Sequence, residues 1–340
     1  MTETLVAADR PERLAARAFD EEQLGRWETA ALLYAQSFRG AIMAGEVEQA
    51  ADSLRGQARV LIQEERFEEA EELVELSREI AERAGFPRSA GRAINILGII
   101  HYRQRDWAGA REHYGRALEM ALDVGDDDLA GLASQNAGVI ANLLGNPREA
   151  RTLYLESIGS FVRSGNSANA LIAYNNLGMA TADLHEWLES EIYFSRGIEI
   201  AERLSQSPLL ARLYGNRAEP LIHIGELEQA RASLHKAELA AEAVGDRLAL
   251  AEVERWRAVI ARASGNLGAA ALHLARSLEI AAEPSLERAE ALRELGALHE
   301  ESADKAAARA AYEAAAETFR IVGIPGDVEL LSDRIRGLAG

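Results

Sequence analysis

Alanine stands at positions 30, 70, 110, 150, 230 and 270, with Ser190 in the one gap, so a period of 40 residues runs through the chain. A further copy, Ala308, arrives two residues early. The same sequence of sizes surrounds each copy. Twelve positions before the alanine is a small residue: Ala58, Gly98, Gly138, Gly178, Ala218, Ala258 and, with the two-residue shift, Gly296. Three positions before it most copies have a bulky residue: Trp27, Phe67, Trp107, Trp187, Leu227 and Leu267. Four positions after it comes Tyr34, Val74, Tyr114, Tyr154, Phe194, Leu234, Leu274 or Tyr312, and three later a small residue such as Ser37, Ser77, Ser157 or Ser277. Spacings of three and four mark one face of a helix. One such unit cannot bury its apolar face alone, so a repeat of this length predicts units that gain stability by stacking on neighbours.

Glycine marks the turns. Gly45, Gly85, Gly125, Gly165, Gly245 and Gly323 follow the second helix of their units, where a left-handed cap favours glycine, and Gly25, Gly145, Gly225 and Gly265 mark a tighter turn inside the unit. Six of the seven prolines (Pro11, Pro87, Pro147, Pro208, Pro284 and Pro325) fall where a helix begins or a turn lies. The exception, Pro220, sits in mid-helix; it has no N–H to offer the carbonyl of Asn216, which predicts a kink. Apolar residues make up 48% of the chain and aromatics only 6%. That balance suits thin layers of closely packed helices better than one bulky core.

The pattern resembles the tetratricopeptide repeat, most clearly in residues 91–125, GRAINILGIIHYRQRDWAGAREHYGRALEMALDVG. The 40-residue length exceeds the usual 34 of that family. It is similar to the longer-helix variety of kinesin light chains, Pins-type polarity adaptors and bacterial peptide-sensing regulators. The resemblance implies an all-α fold, a right-handed α-solenoid superhelix of eight helix-turn-helix repeats over residues 1–323. The expected repeats are 11–45, 46–85, 86–125, 126–165, 166–205, 206–245, 246–284 and 285–323. Residues 324–340 are expected to cap the array: Val328, Leu331, Ile335 and Leu338 share one stripe of a helix.

The formal charge is −18, from 55 acidic and 37 basic residues, a balance that repels nucleic acid and anionic membranes. All but two of the lysine and arginine residues are arginine (the lysines are Lys236 and Lys305), which with abundant alanine suggests a GC-rich bacterial genome. Cysteine is absent, which excludes thiolate chemistry and disulfides. The first residues, MTETLVAADRPERLAARAF, show no basic region followed by an apolar run. A cytoplasmic protein is expected.

Asparagine is a mediocre helix former, yet Asn175 and Asn176 stand together in a helical stretch. At 100° per residue, the positions three and two before the small residue, and the one after it, lie opposite the buried sector. In the family that side lines a concave groove. Asn95, Gln135 and Asn175 are in phase there, as are Asn136, Asn176 and Asn216. Side-chain amides both donate and accept, and the resemblance implies that such a row holds the backbone of a bound chain. Arg55, Arg59, Arg92, Arg103, Arg212, Arg255 and Arg262 flank it, with Met179 among the groove apolars. Guanidinium forks suit carboxylate or phosphate, so a locally positive groove and a ligand that is acidic or has a free C-terminus are expected. Glu219, Glu252 and Asp183 also lie in the groove and could neutralise part of that charge. The clamp for chaperone tails does not fit, since Arg59, Ile99, Val139 and Met179 occupy the position where it needs asparagine.

No P-loop, dinucleotide fingerprint, nucleophile elbow or paired histidines at metal spacing is present. His101 is expected among the buried residues, and Asp126 in the DDD run as a helix N-cap. The expectation is a non-enzymatic adaptor with no cofactor, binding a protein or peptide but neither nucleic acid nor membrane. The alternative is a regulatory sensor that tightens on binding a signal peptide, and a third possibility is an architectural self-assembling unit. The oligomeric state is left open.

Overall fold

The computed structural model describes residues 10–205 and 207–338. Every regular element among them is a helix. The chain forms two compact units, residues 1–173 and 174–340.

The repeat period has a simple local origin. Helix Val47–Gln63 has 17 residues and helix Phe67–Ala84 has 18, and three residues link them. Two more, Gly85 and Phe86, lead to Pro87–Arg103. The first unit is made of such hairpins: Pro11–Gln23 with Trp27–Ala44, Val47–Gln63 with Phe67–Ala84, Pro87–Arg103 with Trp107–Val124, and Asp127–Leu143 with Pro147–Ser164. Helix Ser167–Asp183 follows. In the second unit come Trp187–Leu204, the pair Ser207–Asn216 and Ala218–His223, then Leu227–Val244, Arg247–Ala263, Leu267–Ile280, Leu286–Glu301, Lys305–Val322 and Pro325–Gly337.

Left-handed residues end the helices. The predicted caps Gly45, Gly85, Gly125, Gly165, Gly245 and Gly323 all have positive φ, as do Gly25, Gly145, Gly225 and Gly265 in the turns inside hairpins. The same geometry recurs at Glu65, Arg105, His185, Ser205 and Ala303, where no glycine announces it. The turn is imposed by hairpin packing, and glycine only lowers its cost. Asp126 caps its helix as expected, accepting from the Leu129 amide at 3.2 Å. One hairpin boundary departs from the pattern. Helix Leu267–Ile280 stops after 14 residues, and Pro284 precedes the Ser285 cap, whose hydroxyl accepts from the Arg288 amide. Helix and linker together are one residue shorter here than at the preceding boundary, and the following helix Leu286–Glu301 has 16 residues where Arg247–Ala263 has 17; together these give the two-residue shift.

The small residues sit where rings press closest. A Cβ on Gly98 would stand 2.5 Å from the Tyr114 ring, and one on Gly296 2.4 Å from that of Tyr312. The small residue seven positions after the repeat alanine also bonds: Ser77 Oγ donates to the Ala51 carbonyl at 2.8 Å, Ser157 Oγ to Gly131 at 2.8 Å, and Ser277 Oγ to Ala251 at 2.7 Å. Each bond joins a second helix to the start of the first helix of its own hairpin. Such a bond needs a short side chain, and Ala117, Gly197, Ala237 and Ala315 at the same position in other repeats keep the small size without it. Ile94, Leu97 and Gly98 are buried, but His101 is only partly so; its Nδ1 lies 2.8 Å from Asp106 and its ring stacks on His113. His101 belongs to the last turn of its helix, where the face opens towards the linking residues. At the chain's end, Leu331 is buried against Tyr312 and Phe319, with Val328, Ile335 and Leu338 beside it.

Pro220 breaks its helix. The first segment ends at Asn216 and the second starts at Ala218, with Arg217 between them. Proline removes the N–H that the Asn216 carbonyl would accept.

Candidate functional site

Three positions before the small residue stand Arg55, Asn95, Gln135, Asn175, Gly215 and Arg255; the next position holds Gly56, Ile96, Asn136, Asn176, Asn216 and Trp256. Because each hairpin repeats the last, these residues recur at equivalent points on successive first helices. What surrounds them differs between the units.

In the first unit the predicted residues are largely engaged. Arg55 is 6% exposed; it donates to Ser89 Oγ at 2.7 Å, the Ser89 carbonyl at 3.3 Å and Ser77 Oγ at 3.3 Å, and pairs with Asp52. It joins helix Val47–Gln63 to the next first helix. Arg59 forks onto Glu22 at 2.8 and 2.9 Å and reaches the Tyr34 hydroxyl at 2.8 Å. Arg92 pairs with Asp126 at 3.4 Å. Asn95 is buried and accepts from Asn136 Nδ2 at 3.3 Å, a bond between amides of consecutive hairpins. Gln135 is half-buried, and its Oε1 has no partner among the described residues. Arg103 is half-buried at the end of its helix.

The second unit gathers the others around one cavity of about 710 Å³. Asn175, Asn176, Met179, Arg212, Asn216 and Arg255 all line it. Asn216 Nδ2 donates to Asn175 Oδ1 at 3.0 Å, and Asn175 Nδ2 lies 3.5 Å from Asn176 Oδ1 and 3.6 Å from Met179 Sδ. Trp256 forms part of the wall, and the Arg255 guanidinium lies 4.0 Å from the centre of its ring. Arg262 lines an adjoining cavity of about 300 Å³, which shares Glu219, Arg255, Trp256 and Arg293 with the first. It is held by Glu294 at 3.0 Å and Glu301 at 2.6 Å.

The charge of the larger cavity is not the expected one. Against Arg212, Arg255 and Arg293 stand Asp183, Glu219, Glu252, Glu287, Glu290 and Asp327. Arg293 is committed to Glu290 and, at 3.1 Å, to Asp327. Arg255 approaches Glu252 and Glu290 only to 3.7 and 4.0 Å. Burial pushes the carboxyls of Glu219 and Glu252 above the usual carboxylate range, with Arg255 opposing the shift. The expected positive groove fails here because the later repeats bring acids. Glu290 takes the position of Arg212 and Glu252 after the two-residue shift, and Asp327 comes from the last helix. These two, with Glu287, Arg293 and Trp256, were missed in the sequence. Three of them carried a signal: Trp256 stands in phase with Asn136, Asn176 and Asn216, and after the shift Arg293 stands in phase with Asn175 and Arg255, and Glu290 with Glu252.

A separate cavity of about 420 Å³ is lined by Arg257 and His273, whose partners are already in place: Arg257 holds Glu238 and Glu254, and His273 lies 2.7 Å from Glu254. Among the described residues no group of His, Asp and Glu is placed to hold a metal ion, and no helix is long and apolar enough to cross a membrane.

These features define a class, the repeat proteins that build binding surfaces from stacked helical hairpins. Residues 89–161 match the model of the tetratricopeptide repeat. No curated protein matches it by sequence. Its fold is similar to that of a signal transduction ATPase with numerous domains and a tetratricopeptide repeat sensor from Pyrococcus horikoshii, at 19% identity and a TM-score of 0.65. That match covers 81% of this chain and 43% of the other. Aspartyl phosphate phosphatase F from Bacillus subtilis is similar at 10% identity and a TM-score of 0.64, over 94% of this chain and 96% of that one. The apo quorum sensor NprR from B. thuringiensis is similar at 14% identity and a TM-score of 0.56, over 94% and 99%.

Proposed function

We propose that the chain is a non-enzymatic interaction module that holds an extended peptide or a partner helix in the amide-lined groove of its second unit. The observation that carries this is the run of Asn216, Asn175 and Asn176, bonded in series along the wall of one cavity. The series uses only part of each amide's capacity. Asn216 Oδ1 and both N–H groups of Asn176 have no partner among the described residues, and these can bond a main chain whatever its side chains.

Panning a random dodecapeptide phage library on the purified protein tests this. Asn175→Ala with Asn216→Ala should weaken a selected peptide at least tenfold, about 1.4 kcal/mol. Unchanged affinity in a variant of native helicity would refute the role of the amides.

A second reading, a peptide sensor, is favoured by the helix break at Arg217 next to Asn216 in the cavity wall. A broken helix has fewer bonds resisting a change of angle than a continuous one. A change in compactness by solution scattering on adding the selected peptide would separate the sensor from a static adaptor. Similarity to a protein named a quorum sensor agrees with this reading, and similarity to one named a phosphatase, at 10% identity, concerns the fold alone.

A further inference from the structure

We propose that the cavity of the second unit receives a peptide carrying an arginine or lysine side chain. The cation would sit among Glu219, Glu252 and Glu287, with a main-chain carbonyl accepting from Arg255. This deepens the peptide-binding reading and rests on it.

Two independent features of the wall lead there. The first is unpartnered negative charge. Glu219 and Glu287 make no hydrogen bond and no ion pair within 4.0 Å among the described residues, and Glu252 has only a 3.4 Å contact from Trp256 Nε1 and the long approach of Arg255. Burial disfavours the ionised forms of Glu219 and Glu252, so an incoming cation would relieve a cost already present in the free protein. A carboxylate or phosphate ligand would instead join six acidic side chains.

The second feature is Arg255 itself. It is 7% exposed, yet none of its N–H groups makes a hydrogen bond among the described residues, and its buried Nε has no acceptor. A buried guanidinium normally has its donors satisfied. Its neighbours at 3.7 and 4.0 Å lie beyond hydrogen-bond length. A neutral carbonyl oxygen would satisfy this donor without adding negative charge. An occupant that offers a carbonyl and a cation a few bonds apart is a basic peptide. A free polyamine supplies only the cation, and a metal ion has no ligand set here.

The dodecapeptide panning described above, followed by fluorescence anisotropy with a selected peptide, reads this directly. Selected sequences should be enriched in arginine and lysine. Glu219→Gln with Glu287→Gln should weaken the peptide at least tenfold, with no loss of melting temperature and a shallower dependence on salt. Spermidine at the same concentration should not displace it. Enrichment of acidic or uncharged sequences, no enrichment at all, unchanged affinity in the glutamine variant, or displacement by spermidine would each overturn the inference. Acidic or uncharged peptides that nevertheless lose affinity in the Asn175→Ala, Asn216→Ala variant would leave the peptide groove standing and remove only its preference for cations.

Discussion

Arg55 in the first unit and Arg255 in the second occupy the same repeat position, and both are more than nine-tenths buried. Arg55 has Ser77, Ser89 and Asp52 as partners and ties one hairpin to the next. Arg255 has a tryptophan face, two glutamates beyond hydrogen-bond length, and an Nε with no acceptor. An identical residue at an identical place thus does two jobs, decided by its neighbours. At Ser77 and Ser89 the seam between hairpins is polar and closed. Around Arg255 the neighbouring repeats bring carboxylates and leave a cavity.

Several measurements would break or sharpen that contrast. The largest effect is expected at the closed seam. Arg55→Met removes hydrogen bonds to a charged group, each worth about 1.5–3 kcal/mol, so denaturant unfolding should show a loss of about 3 kcal/mol. Arg255→Met keeps the stem against Trp256 and removes long ion pairs but no hydrogen bond, so its loss should be smaller than that of Arg55→Met. Equal losses would mean that Arg255 is as structural as Arg55.

The next effect is in pH. Glu219 and Glu252 have carboxyls raised by burial, so the folded protein holds their protons more tightly than the unfolded chain. The stability this confers is full below the ordinary carboxylate value of about 4.3 and is lost as pH rises through the raised values. Glu252→Gln should therefore melt higher than the parent at pH 7, and the difference should shrink towards pH 4. A difference independent of pH would show that Glu252 is not a strained carboxylate.

The smallest effect lies in the turns. Glu65 holds φ at 60° where four sister repeats have Gly25, Gly145, Gly225 and Gly265. Glu65→Gly should stabilise by up to about 1 kcal/mol in a thermal melt, because the left-handed region carries a Cβ penalty. Destabilisation would show that Glu65 has a role beyond the turn.

The hairpins were legible in the sequence because packing that repeats must repeat its residue sizes. Gly98 beneath Tyr114 and Gly296 beneath Tyr312 are the same contact two hundred residues apart. The in-phase spacing of the asparagines was legible for the same reason. Illegible were features that depend on partners from other repeats: the closed seam around Arg55, and the carboxylates that reverse the charge around Arg255. Asp327 and Glu290 reach the cavity only through the last helix and the shortened hairpin boundary, neither of which keeps the period. The turns at Glu65, Arg105 and His185 were hidden too, since tertiary packing holds them left-handed without glycine.

The central claim is that ligand contact belongs to Asn175, Asn176 and Asn216, which line the cavity of the second unit, and not to Asn95, which is buried, or to Asn136 bonded to it. Side-chain amide resonances of the asparagines, followed by NMR during titration with a panned peptide, report on both groups at once. Asn175, Asn176 and Asn216 should shift in a saturable way, with Asn95 and Asn136 nearly still. Shifts at Asn95 and Asn136 with none at the other three would contradict the account.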